Sequence, residues 1–153
     1  MTEQKGRRLS IPAPPARLPD DAAVRVGEAQ THEGDHTMQY MLLIYEAESA
    51  YEGPAGEAAR KDIVARHMAL AGELRTKGVM QAGSGLQSIT TATTVLTDGG
   101  KQTVHDGPFA ETREHLGGYY LVDVPDLDAA LAIAKRIPAV DGGKVEVRPL
   151  IQH

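Results

Sequence analysis

His105 to Tyr120 reads HDGPFAETREHLGGYY, and the rest of the chain is arranged around this stretch. Asp106-Gly107-Pro108-Phe109 must turn. Proline fixes its own φ and restricts the residue before it, and glycine tolerates that restriction best. The Asp106 carboxylate is placed to accept a hydrogen bond from the backbone just ahead and hold the turn. Glu111, Arg113, Glu114 and His115 follow, then Gly117-Gly118. From there Tyr119 to Val124, YYLVDV, reads as a strand rich in aromatic and β-branched residues. Titratable groups on a rigid loop at the mouth of a strand form a site in many proteins. They also form solvated structural turns, and the residues alone leave both readings of Asp106 open.

Upstream of this stretch, Gln39 to Tyr45 is apolar on both of its faces, which predicts a central strand covered on both sides. Glu46 to Gly56 reads as a loop with Gly53-Pro54 as a turn. A helix is predicted from about Glu57 to Lys77, with Ile63, Val64, His67, Met68, Leu70, Ala71 and Leu74 in one apolar stripe. Gly78 closes it. His67 lies within that stripe. It is either a core histidine satisfied by one hydrogen bond or a histidine facing a cleft as acid, base or ligand contact. Val79 to Ile89 is strand-like, and Gly83 and Gly85 suggest a bulge or a close backbone approach. Thr90 to Thr97 and Lys101 to His105 form a hairpin about Asp98-Gly99-Gly100.

Downstream of it, Asp126 is the N-cap of a second helix whose buried stripe is Leu127, Ala130, Leu131, Ala134 and Ile137, stopped by Pro138. Lys144 to Arg148 alternates as a half-exposed strand. The order is strand, helix, strand, hairpin, strand, helix, strand. Without the hairpin it is βαββαβ, an α+β ferredoxin-like sheet with both helices on one face. The other face is left apolar and bare. Two copies packed face to face around a shared cavity would cover it, giving a homodimeric α+β barrel with small-molecule sites in the dimer cleft.

Composition sets the outer bounds. The chain has 153 residues, enough for one domain with a sizeable core. A net charge of −5 argues against nucleic acid or an anionic membrane as partner. The absence of cysteine rules out thiolate chemistry and suits a cytoplasmic protein. Residues 1–37 carry Pro12, Pro14, Pro15 and Pro19 and no sustained apolar period. They read as a disordered extension, with residues 38–153 as the domain and Met38 a second candidate for the start of the protein. Within the extension His32-Glu33-Gly34-Asp35-His36 matches H-E-x-x-H. That chemistry needs a helix to aim both imidazoles at one zinc, and Gly34 with no apolar flank opposes a helix. The match is read as chance, and no metal or cofactor is expected.

From Met38 onward the chain resembles the DGPF branch of the YCII-related family. The matching pieces are MQYMLLIYE, GLQSITTATTV, DGPFAETREHLGGYYLVDV, DLDAALAIAKRIP and VEVRPL. The resemblance implies a dimeric α+β barrel and a small cytoplasmic enzyme or ligand-binding protein. The alternative is a non-catalytic module linked to an extracytoplasmic-function sigma factor. Shorter relatives are proposed to use a histidine on the first helix and an aspartate before a proline after the second. His67 matches the first position, but Ile137 stands before Pro138, so that pair is broken here. The candidate catalytic residues are therefore Asp106 and His67, with Glu111, Arg113 and Phe109 as candidate substrate contacts. As a base, Asp106 would have to be desolvated or close to a second carboxylate such as Glu111.

Overall fold

The computed structural model describes residues 36–153. The H-E-x-x-H pattern and the proline-rich extension lie outside the described residues as far as position 35. In chain order the elements are β1 (Met38–Glu46), α1 (Gly53–Thr76), β2 (Met80–Gly85), β3 (Thr93–Asp98), β4 (Lys101–Asp106), β5 (His115–Val124), α2 (Leu127–Ala134) and β6 (Lys144–Pro149). Short 3-10 turns occupy Glu48–Tyr51 and Ile89–Thr91.

Four strands form one antiparallel sheet in the order β2-β5-β1-β6. With β3 and β4 set aside, this order is consistent with a ferredoxin-like plait. β3 and β4 pair only with each other, as a separate two-stranded ribbon. Alternation along the strands decides which side chains are buried. Tyr40, Leu42 and Ile44 of β1 and Tyr120, Val122 and Val124 of β5 point to one face. There they meet Leu70, Ala71 and Leu74 of α1 and Ala130, Ile133 and Ala134 of α2 in a single core. Leu42 and Val122 are wholly excluded from solvent. Both helices therefore cover the same face. β1 is central, as its sequence predicts, but its second apolar face, Met41, Leu43 and Tyr45, is only half-buried and carries no helix.

Three boundaries differ from expectation, each for a local reason. α1 begins at Gly53, because Pro54 sits in the first turn, where its fixed φ suits a helix and its missing N–H costs nothing. At its other end Gly78 takes φ +70°, and the N–H groups of Gly78 and Val79 bond the carbonyls of Arg75 and Leu74, closing the helix as a Schellman motif. β5 begins at His115, ahead of the expected Tyr119, so Gly117-Gly118 lies within the strand. A Cβ on Gly118 would stand 2.8 Å from the Ser84 carbonyl oxygen, so only glycine lets β2 approach there. α2 ends at Ala134, and its last turn tightens to i→i+3 bonds that carry Ile137 into the core. The Asp106 turn also differs. Gly107 has φ +98°, its N–H bonds the Ala92 carbonyl at 2.7 Å, and its own carbonyl accepts from the Thr94 hydroxyl at 2.7 Å. The neighbouring strand holds this turn, and the Asp106 carboxylate takes no part. Among the described residues no helix is long and apolar enough to cross a membrane.

Candidate functional site

α1 carries the site on the side that faces the start of β5. Its first turn lies against the 3-10 turn Glu48–Tyr51. Gly56 is buried there, and a Cβ on it would come within 2.3 Å of the Tyr51 backbone. That close approach brings Tyr51 to the edge of a cavity of about 440 Å³. α1, the end of β2, the loop after it and the start of β5 enclose the rest. The walls are largely apolar, with Ile63, Val64, Met68, Leu86 and Leu116 among them. Val64 and Met68 are 52% and 66% exposed, so apolar side chains stand open at its mouth.

His67 projects from α1 into this wall and meets Tyr120 of β5. The imidazole Nδ1 lies 2.8 Å from the Tyr120 hydroxyl, with ring centroids 5.8 Å apart. Burial pushes His67 below its ordinary pKa. The nearby Glu46 carboxylate and the Pro138 backbone oppose that shift, and the Arg66 charge adds to it. The ring tautomer sets the direction of the His67–Tyr120 bond, and the Tyr120 hydroxyl also donates to the His67 backbone carbonyl at 3.3 Å. Burial also raises the Tyr120 phenol, with the Arg75 charge working the other way. The pair is thus a neutral imidazole and a neutral phenol at neutral pH.

The acidic groups of the cavity are internally engaged. Glu46 accepts from the Tyr51 hydroxyl at 2.6 Å and from the Val140 N–H at 3.2 Å. Burial, then that bond to Glu46, push the Tyr51 phenol well up. Glu48 accepts from the Ser88 hydroxyl at 2.9 Å and the Ile89 N–H at 2.7 Å, tying the loop after β1 to the loop after β2. Two guanidinium groups, of Arg60 and Arg75, also line the cavity, and neither meets a carboxylate at ion-pair distance among the described residues.

His67 is the sequence-predicted residue found in this cavity: it is half-buried, hydrogen-bonded to Tyr120, and part of the cavity wall. The protomer does not bring Asp106 to it. Asp106 is exposed at the end of the β3–β4 ribbon. Phe109 is 90% exposed, and Glu111 and Arg113 are exposed in the loop beyond. None of the four lines the cavity. Sequence reasoning did not single out Tyr120, Glu46 or Arg75. The signal for Tyr120 was strand parity, since it shares a face with Val122 and Val124. Ile137 is buried, so the position before Pro138 supplies no carboxylate to His67. On the uncovered sheet face, the Oδ1 atom of Asp123 is buried without a hydrogen-bond partner.

The sequence pattern of the YCII-related domain matches residues 38–153. An uncharacterised protein of Rhizobium meliloti (strain 1021) is 37% identical over 120 residues, which cover 74% of this chain and 92% of that protein.

Proposed function

This chain belongs to the YCII-related domain family, and on that premise we propose that it is a cytoplasmic homodimer that binds a small molecule beside His67 and Tyr120. The observation that carries this reading is the hydrogen-bonded His67–Tyr120 pair in the wall of an apolar cavity of about 440 Å³. A few polar groups set in an apolar, concave wall are the usual make-up of a small-molecule site. If the protein is an enzyme, a neutral imidazole hydrogen-bonded to a phenol can relay a proton to or from a ligand carbonyl or hydroxyl. The homodimer would pack the uncovered sheet faces together. The exposed apolar ribbon residues Val95, Leu96 and Val104 and the loop bearing Asp106, Phe109, Glu111 and Arg113 would then close over the cleft.

The test is thermal unfolding of the full chain with fractions of a small-molecule cell extract. The expected outcome is a fraction that raises the Tm of the wild type and of Met68→Leu, and fails to raise that of Tyr120→Phe or of Ala71→Trp, which fills the cavity. A rise preserved in Ala71→Trp would place the ligand elsewhere.

A second reading has its own support. His67, Glu46 and Glu48 all have partners within the protein, which suits a rigid, non-catalytic binding module. In that case the dimer would act as an accessory of a regulator such as an extracytoplasmic-function sigma factor. It would bind the same ligand and leave it chemically unchanged.

A further inference from the structure

We propose that the cavity takes a small amphipathic carboxylate, its anion held by Arg75 and its apolar body laid along α1. The inference rests on the reading that this cavity is the ligand site, and it names the ligand's class.

The charges around the cavity select the anion. Its two glutamates are already bonded to Tyr51, Val140, Ser88 and Ile89. Arg60 stands over the Tyr51 ring, 6.0 Å from its centroid, beside the Glu46 carboxylate that Tyr51 binds. Arg75 has no such company. The surface arginines Arg66, Arg136 and Arg148 are each ion-paired, to Asp62, Glu73 and Glu146. Among the described residues Arg75 is therefore the cavity cation with neither a carboxylate nor an aromatic ring against it, and His67 adds no charge beside it.

The helix places that cation usefully. His67, Ala71 and Arg75 are spaced four residues apart and form one ridge of α1. Helical side chains tend to lean toward the N-terminus, a direction that brings the Arg75 guanidinium toward the His67 side of the cavity that both residues line. Ala71, buried between them, contributes only a methyl group to the cavity wall. A carboxylate there meets the guanidinium fork, whose two parallel N–H donors match its oxygens. The apolar side chains open at the mouth, Val64 and Met68, need an apolar body to cover them. The cavity volume lies toward the low end of the roughly 300–1,000 Å³ common for small-molecule sites, which suits an aryl-alkanoic or medium-chain acid and excludes a polymer.

Arg75 also lies in the last turn of α1, where any cation favours the helix carbonyls. That role is independent of ligand, and the experiment separates the two. The full chain is titrated with 3-phenylpropionate and with its neutral counterpart 3-phenylpropanamide, following backbone amide shifts by NMR. We expect the acid to bind about tenfold more tightly than the amide, with shifts centred on residues 63–75 and 116–120. Arg75→Gln should erase that preference, lowering acid binding far more than amide binding. Arg75→Lys should keep most of it, Arg66→Gln all of it, and added salt should shrink it. Equal affinity for acid and amide, or a preference that survives in Arg75→Gln, overturns the carboxylate proposal and leaves the site intact. If neither probe nor any extract fraction shifts the cavity residues, the ligand-site reading itself fails and the proposal falls with it.

Discussion

His67 holds a neutral ring because its half-buried setting disfavours the imidazolium more than Glu46 and the Pro138 backbone favour it. Its folded pKa therefore lies below the unfolded value of about 6.5. Between those two values the unfolded chain binds the extra proton, so stability falls as pH is lowered through 6.5 toward the folded pKa. Urea unfolding at pH 7.5, 6.5 and 5.5 should show this loss in the wild type and a flatter profile in His67→Gln. Equal slopes in the two proteins would mean that the ring is charged, or as well solvated as in the unfolded chain. At this scale the sequence was half legible. The apolar stripe showed that His67 would be partly buried, and it could not show which side chain from a distant strand would meet it. Asp106 was the reverse case. Its motif is conspicuous in the sequence because Gly107 and Pro108 demand a turn, and that demand says nothing about where the carboxylate points.

Among the elements, the contact of the 3-10 turn Glu48–Tyr51 with the first turn of α1 sets the shape of the cavity. It depends on one missing methyl group. Gly56→Ala would press a Cβ to 2.3 Å from the Tyr51 backbone, which must move to make room. The expected cost is about 2 kcal/mol, read as a lower urea midpoint at unchanged m-value, together with weaker ligand binding as Tyr51 shifts. Gly72→Ala is the control. A Cβ at Gly72 meets nothing within 4 Å, so it should be neutral or slightly stabilising through helix propensity. Gly53-Pro54 was read as a turn because that pair is ambiguous by composition. Proline in a loop and proline in a helix's first turn look alike until the 3-10 turn ahead of it is known. Gly118 is equally silent in the sequence. Its role is close approach to β2, a contact more than thirty residues away in sequence.

For the whole molecule, the order of strands and helices was readable because each element announces its own period, and βαββαβ connectivity leaves few compact arrangements. The face carrying Met41, Leu43, Tyr45, Tyr119 and Leu121 is left uncovered by either helix. Asp123 adds a buried oxygen that lacks a donor. Both features suit a second copy across that face. Sedimentation of the wild type should give a dimer at micromolar concentration. Leu43→Lys should give a folded monomer with unchanged far-UV circular dichroism, since Leu43 lies outside the core. A monomeric wild type, or a dimer indifferent to Leu43→Lys, would remove the sheet-to-sheet arrangement and with it any route for Asp106 to the cleft.

The central claim is that a neutral His67, bonded to Tyr120, borders a ligand-binding cavity. The most direct test is nitrogen-15 NMR of the histidine rings in the full chain, across pH and with and without small-molecule extract. The expected result is a neutral His67 ring, titrating below 6.5, whose resonances move when ligand enters and stop moving in Ala71→Trp. A His67 ring that titrates at or above 6.5, or that no extract fraction perturbs, would contradict it.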